Sequence, residues 1–471
     1  MKPIDISPEQ FQLLSESILA IATNYLKEMD SRAISPMGGG VEVANIFRTA
    51  LPELGLHEQA ISRLRNVVLH SRAQNGRFYG YVLGSGDPAA AAVDLLCSVL
   101  NQNVTAWRSS PAATTLEQTV VGWLAEAVSC AGFHGILTSG GSAANLMGLA
   151  MARETKAPAN NSGLPMKAPL AVYASTEVHM SIPKAIALLG IGRDNLRLIP
   201  VDDSFRMVPE ELERKMGRDA ELGIIPVAVI GTAGTVNTGA IDPLADLADI
   251  AARHGAWFHV DGAYGALSAI VNPLKFRGMA RADSISLDPH KWLYQPIDCG
   301  CLLYRDPAAA RRTFAQAGDY VRPLGDNPIE SHAFFDESLE LSRRFRALKL
   351  WFSLQYHGFA AFRSSIEKDL RHAKRLEASM QRIRELQLLA PVELSAVCFR
   401  YVGDGRLSED DLNHLNVEIL RRVIQRGHVY LSNATLHLKF CLRACIVNHR
   451  TTDSDIDSVP TEVLTAAQEV R

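Results

Sequence analysis

Between about residues 90 and 310 the chain alternates between two patterns. Stretches with Ala/Leu helical periodicity (88–100, 115–129, 143–153) are separated by short apolar runs at 170–173, 196–200, 225–230, 257–260, 284–287 and 300–304. Parallel strands need a long crossover between them, usually a helix, and those helices then cover the faces of the sheet. The alternation therefore predicts a largely parallel α/β sheet wrapped by helices. It also says where to look for chemistry, because ligands of such sheets bind beyond the carboxyl ends of the strands.

The flanks read differently. A chain of 471 residues is too long for one small core. Phe11, Leu14, Ile18, Ile21, Tyr25 and Leu26 recur at helical spacing, predicting a helix over 8–29 that starts at Ser7-Pro8. Ser35 to Gly40 breaks the chain, and a second helical stretch is expected over 41–70. This arm, residues 1–85, holds too little material for a core of its own and is expected to pack on another subunit. The large α/β domain is expected over 86–350. Within it, 317–341 reads as a long loop, a class that is usually functional or mobile. A long helix is expected over 343–386. A small α+β domain, 351–471, finishes as strand, helix, strand, strand, helix.

Composition removes several classes of function. The net charge is −3, from 48 basic and 51 acidic residues, so no nucleic-acid footprint is expected. No stretch of about 18 uninterrupted apolar residues offers a membrane span, and no apolar run follows Lys2 as a signal peptide requires. The seven cysteines are odd in number and scattered, which fits reduced thiols in the cytoplasm. Cys299-Gly300-Cys301 lies in an apolar run without a second Cys/His pair nearby, so it reads as strand core and no metal site is expected.

The residues that carry chemistry follow one another along the alternating region. Thr138-Ser139-Gly140-Gly141-Ser142 follows an apolar run and opens a helix, where free N–H groups and the helix dipole favour an anion. Taken alone, it is as easily a turn with a serine cap. His179 follows the 170–173 run and presents a flat ring; Thr232 follows 225–230. Asp261 ends Trp257-Phe258-His259-Val260, and a buried carboxylate is costly unless paired. Lys291, in Asp288-Pro289-His290-Lys291-Trp292, sits among apolar neighbours that make its amine easier to deprotonate. Each has a bland reading as a cap, a turn or a structural histidine. Their order, all at carboxyl ends of one expected sheet, favours a joint one. A Schiff-base amine (Lys291) and a carboxylate for a cationic ring nitrogen (Asp261) are what pyridoxal 5'-phosphate requires.

With these motifs the chain resembles group II pyridoxal-phosphate-dependent amino-acid decarboxylases, the aromatic-L-amino-acid decarboxylases among them, from about residue 12 to 465. The resemblance is carried by Arg77-Phe78-Tyr79-Gly80-Tyr81, Ser109-Ser110-Pro111-Ala112, the Thr138 to Ser142 stretch, His259-Val260-Asp261-Gly262-Ala263-Tyr264, Pro289-His290-Lys291-Trp292, the Ser342 to Lys349 segment, and Leu442-Arg443 through Thr451. It implies fold type I: a mostly parallel seven-stranded sheet, an N-terminal helical arm and a small C-terminal domain. It also implies a homodimer with active sites built from both subunits, and an amino-acid substrate. Lys291, Asp261 and His179 are then the catalytic residues, with Thr232 and Ala263 at the cofactor and Gly141, Ser142, Asp288 and His290 near its phosphate. Asp288 departs from the asparagine common in relatives, and a carboxylate there repels a phosphate unless it is protonated or bridged.

Two further departures bear on the product and the substrate. Amine-forming relatives carry a loop tyrosine linked to protonation of the carbanion carbon. No tyrosine occurs here between Val321 and Arg346, and counting back from Arg343 puts Phe334 near that position. His332 and Tyr320 are the alternative acids. Relatives with phenylalanine there resemble aldehyde synthases, so an oxygen-dependent aldehyde product stands beside the amine, and a non-catalytic cofactor-binding scaffold stands as a third reading. The substrate pocket implied by the resemblance is Tyr81, Val82, Leu83, Asn103 and Thr105. Asn103 and Thr105 are more polar than the groups aromatic-specific relatives place there, which leaves the amino acid open, an aromatic one included.

Overall fold

The computed structural model describes residues 4–36, 38–164, 169–316, 327 and 329–470. Its centre is a seven-stranded sheet in the order β1-β7-β6-β5-β4-β2-β3. The strands are β1 (His134–Thr138), β2 (Leu170–Ser175), β3 (Leu196–Ile199), β4 (Ile225–Thr232), β5 (Trp257–Asp261), β6 (Ser284–Leu287) and β7 (Gly300–Tyr304). Strands β6, β5, β4, β2 and β3 pair in parallel, whereas β7 is antiparallel to both β6 and β1. Two antiparallel steps restore direction, so β1 runs with β6 and its carboxyl end opens on the same edge as those of β2, β4 and β5. Strands β2, β5, β6 and β7 are buried along their whole length. Burial on both faces explains their near-continuous apolar sequence.

Helices flank the arm and the sheet in chain order. The arm holds α1 (Pro8–Glu28), α2 (Gly40–Phe47) and α3 (Gln59–Leu69); α4 (Pro88–Leu100) and α5 (Pro111–Ala127) lead into the sheet. Around the sheet lie α6 (Gly141–Lys156), α7 (Ser181–Leu188), α8 (Pro209–Glu221), α9 (Leu244–Arg253), the short α10 (Pro289–Trp292) and α11 (Pro307–Phe314). Helix α1 begins as its sequence predicts: Ser7 caps it, and Ser7 and Gln10 bond each other's backbone N–H in a reciprocal box. None of α1, α2 or α3 has a buried residue in the single chain. The arm carries apolar faces with nothing over them.

Three expectations needed correction. The helix expected over 41–70 is two, α2 and α3, because Pro52 and Gly55 interrupt the run between them. The helix expected over 343–386 is also two: α12 (Ala347–His357) and α13 (Phe359–Gln381) meet at Gly358, whose φ of +78° the α-helix does not accommodate. The C-terminal unit holds one strand more than expected. Its antiparallel sheet runs β10-β11-β9-β8, from β8 (Leu386–Leu388), β9 (Ala396–Tyr401), β10 (Ser432–Leu436) and β11 (Lys439–Cys445), packed with α14 (Glu409–Arg426) and α15 (Asp453–Glu469). Strand β8 is only three residues long, too short for a periodicity to register.

Candidate active site

The carboxyl ends of β1, β2, β4, β5 and β6 surround one cavity of about 290 Å³. Ser139, Gly140, Gly141, Ser142, Asn145, His179, Thr232, Asp261, Ala263, Asp288, His290 and Lys291 line it, with Val82 and Tyr264. From Ser139 to Lys291, residues up to 152 positions apart in sequence meet here because the strands deliver their carboxyl ends to one edge. Beneath the lysine the floor is rigid: Trp292 is fully buried and its ring lies parallel to that of Tyr264, centroids 6.0 Å apart.

One wall is the start of α6. Gly140 has φ +150°, a conformation L side chains rarely adopt. A Cβ on Gly141 would stand 2.6 Å from Cβ of Ala263 and 3.0 Å from Oδ2 of Asp288. Only glycine permits the helix to start this close to β5 and β6, and the close start leaves the first N–H groups of α6 directed at the cavity.

The opposite wall centres on Asp261, only 5% exposed. Its Oδ1 accepts from the Ser286 hydroxyl at 3.1 Å and the Ala263 N–H at 3.2 Å; its Oδ2 accepts from the Asn145 amide at 2.9 Å. Asn145 links several strands. Its Nδ2 also donates to Ser181 Oγ at 2.9 Å, and its Oδ1 meets His259 Nε2 at 2.9 Å. Burial pushes His259 down to about 4, so its ring is neutral at pH 7. Protons can then be assigned along the chain of bonds. Trp257 Nε1–H donates to Ser284 Oγ; Ser284 donates to His259 Nδ1; His259 Nε2–H donates to Asn145; Asn145 donates to Asp261 and Ser181; and Ser181 donates to His179 Nδ1 at 2.8 Å. His179 thereby carries its proton on Nε2. Burial, the largest influence on its ring, lowers its pKa and keeps it neutral.

The lysine sits on α10. Its Nζ lies 2.9 Å from Asp288 Oδ2, and His290 Nε2 lies 3.6 Å from the same oxygen. His290 Nδ1 donates to the Cys299 carbonyl at 2.8 Å. Asp288 is 3% exposed and its Oδ1 has no hydrogen-bond partner. Thr232 lines the cavity, and its N–H donates to Asp242 Oδ2 at 2.8 Å.

The residues expected to hold substrate or supply a loop acid divide. Val82 lines this cavity. Tyr81 is 57% exposed at φ +61°, its phenol 3.1 Å from that of Tyr430, and Leu83 packs on Ile34, Phe78 and Tyr430. Asn103 and Thr105 gather elsewhere with His332 and Phe334, around Arg343. Arg343 donates its N–H to Asn103 Oδ1 at 2.8 Å, lies over the Phe334 ring at 4.5 Å, and forms a buried ion pair with Glu117. The Thr105 carbonyl accepts from Phe335, and that of His332 from Trp107. Asn103 and Arg343 line a second cavity of about 530 Å³ that shares no lining residue with the first. Burial lowers the His332 pKa, leaving it neutral near pH 7. Tyr320 lies outside the described residues. Asn145, Ser181 and Ser286 were not singled out from sequence. Asn145 was within reach, since it stands one helical turn past Gly141 on the helix that opens the anion cradle.

A fold of this topology, with a lysine and a hydrogen-bonded carboxylate facing one cavity beside a helix start, defines a pyridoxal-phosphate enzyme of fold type I. The comparisons make the class specific. The model of the pyridoxal-dependent decarboxylase conserved domain matches residues 47–402, and the chain belongs to that family. An aromatic-L-amino-acid decarboxylase of Bacillus atrophaeus is 32% identical, covering 99% of this chain and 97% of the relative. A crystal structure of Oryza sativa TDC with pyridoxal phosphate and tryptamine superposes with a TM-score of 0.92 at 27% identity, over 100% and 99% of the two chains. A crystal structure of Rhodiola rosea 4-hydroxyphenylacetaldehyde synthase gives 0.88 at 27%, over 100% of both. The chain is a pyridoxal-phosphate-dependent amino-acid decarboxylase by family, and the cavity fits that cofactor: a helix start opened by two glycines for the phosphate, a carboxylate, a flat ring and an amine.

Proposed function

We propose that this chain removes the carboxylate of an aromatic L-amino acid as carbon dioxide and releases the amine. Support for the catalytic assignments comes from one observation above the others: Lys291 and a fully hydrogen-bonded Asp261 line the same cavity. Support for an aromatic substrate comes from the names of the relatives, among them tryptophan and tyrosine decarboxylases.

Pyridoxal phosphate, when bound, supplies an aldehyde that condenses with amines and a ring that draws off the electrons of the breaking C–C bond. The chain's own groups do the rest. Lys291 Nζ is the attachment point and yields its place to the substrate amine. Asp261, which accepts from three donors, would keep a proton on the ring nitrogen. The neutral His179, its ring fixed through Ser181, would pack on the cofactor face. The first N–H groups of α6, with Ser142, would hold the phosphate.

The molecule works as a homodimer in this reading. Leu95, Leu96 and Val99 of α4 are each about half exposed, and Val41 of α2 is 78% exposed. Apolar faces of this extent need a cover. A second copy laid over α1–α4 covers them and brings Asn103 and Thr105 toward the neighbouring site. All seven cysteines are free and buried, in keeping with a cytoplasmic enzyme.

A second reading has a specific observation behind it. Phe334 is buried on Arg343, and neither it nor His332 lines the cavity, so among the described residues neither offers a proton there. Without an acid at the carbanion carbon, oxygen competes for it and the product is an aldehyde, as the name of the Rhodiola neighbour states for that protein. Mass spectrometry of products across the common L-amino acids, with and without oxygen, tests both. Amine from an aromatic substrate at equal anaerobic rate supports the first reading; aldehyde with peroxide formed in step supports the second. No carbon dioxide from any amino acid refutes both.

A further inference from the structure

The cavity contains a contradiction in charge. Its anion cradle, at the start of α6, has a carboxylate on its rim: Asp288 Oδ2 lies 3.0 Å from where Gly141 would carry a Cβ, and Oδ1 is 3.8 Å from the same point on Gly140. Asp288 is buried, and Oδ1 has no hydrogen-bond partner among the described residues. Its one cationic neighbour in contact is the Lys291 ammonium at 2.9 Å. That partner is the group the cofactor consumes.

We propose that the Asp288–His290 pair takes up one proton when pyridoxal phosphate binds, so that Asp288 meets the phosphate as a hydrogen-bond donor or beside one. The inference rests on the cofactor attachment at Lys291 argued above. In that step the C=N bond forms and the aldehyde C=O breaks. The oxygen leaves as water with two of the three ammonium protons, and the third remains on nitrogen. No proton is exchanged with solvent and nothing is oxidised. The nitrogen would keep its positive charge, shared with the ring, but only one N–H, so Asp288 loses two of the three ammonium donors as its phosphate neighbour arrives.

The other surroundings do not replace those lost donors or offset the arriving phosphate. His290 Nδ1 is committed to the Cys299 carbonyl, so the neutral ring turns a lone pair on Nε2 toward the carboxylate at 3.6 Å. Two acceptors facing each other need a proton between them. Burial lowers the pKa of His290 and of His179 beyond β2, so neither starts as a cation. On β7 and just before it, burial drives the Cys301 thiol up and Cys299 to about 12, so neither thiol adds charge. Two groups this close titrate as a unit, and the proton belongs to the pair. An asparagine in place of Asp288 brings N–H donors of its own and needs no proton.

The test is calorimetric titration of apo protein with pyridoxal phosphate, in phosphate-free buffers of different ionisation enthalpy, for wild type, Asp288→Asn and His290→Gln. Wild type is expected to take up about one proton more than Asp288→Asn. Its Kd is expected to weaken tenfold, relative to Asp288→Asn, for each pH unit above the titration point of the pair. His290→Gln, which leaves the carboxylate in place, should retain the uptake. Equal proton counts in wild type and Asp288→Asn, with parallel pH profiles, overturn the inference; so does uptake that persists in Asp288→Asn and vanishes in His290→Gln. Should the variants not fold, a holo-minus-apo infrared spectrum of wild type decides: a new carboxylic-acid carbonyl band or a new imidazolium band supports the proposal, and the absence of both overturns it. Borohydride reduction and peptide mapping run alongside. A label away from Lys291 refutes the functional reading as well, whereas a label at Lys291 with equal proton counts refutes this inference alone.

Discussion

Replacing Asn145 by alanine removes the only side chain among the described residues that hydrogen-bonds Asp261, Ser181 and His259 together. Asn145 is 1% exposed, and its three bonds are each 2.9 Å long. The bond to the Asp261 carboxylate contributes about 1.5–3 kcal/mol and the other two about 1 kcal/mol each. Buried partners left unsatisfied add desolvation costs, which water entering from the adjoining cavity offsets in part. The net expectation is a loss of about 3 kcal/mol. Urea unfolding of the apo protein reads it directly, through the midpoint at constant slope. The same variant frees Asp261 and the His179 ring from their shared hub, so cofactor affinity should fall as well. Cofactor loading and stability must both drop if the network holds the site in shape. A stability loss below about 1 kcal/mol with unchanged cofactor Kd would refute the argument, because it would mean the amide only fills space.

The other predictions concern single groups. Lys291→Ala should leave no cofactor bound after borohydride treatment and no turnover; normal turnover contradicts the assignment. Asp261→Ala should weaken cofactor binding and cut the rate by orders of magnitude, as loss of a charge stabilising the reacting state does. His259 gives a pH signature: its folded pKa is about 4 against an ordinary 6.5, so the unfolded chain binds a proton below about pH 6.5 that the native state refuses. Stability from this group is therefore full above pH 6.5 and lost as pH falls toward 4, by about 3 kcal/mol in all. Denaturation midpoints measured from pH 7 to 4.5 should drop further for wild type than for His259→Gln, and parallel curves would exclude His259 as the source. Buried Asp242 and Asp369, raised to about 6 and about 7, act in the opposite direction, so only the difference between the two proteins isolates the histidine.

The alternation of helical periodicity and short apolar runs by itself determined the sheet, its mostly parallel sense and the edge at which Gly141, His179, Thr232, Asp261 and Lys291 gather. Those are consequences of period and connection length, both local properties of a chain. Where local signals conflict or are too short, the reading failed: Gly358 splits a helix whose periodicity runs on through it, and β8 is too brief to show one. Only the tertiary structure decided that Asn145 joins Asp261, 116 residues away, to Ser181 and His259, and that Asn103, Thr105, His332 and Phe334 collect around Arg343 instead of at the lysine. Such contacts depend on strand order and on which helix faces which strand, and no periodicity in the sequence encodes either.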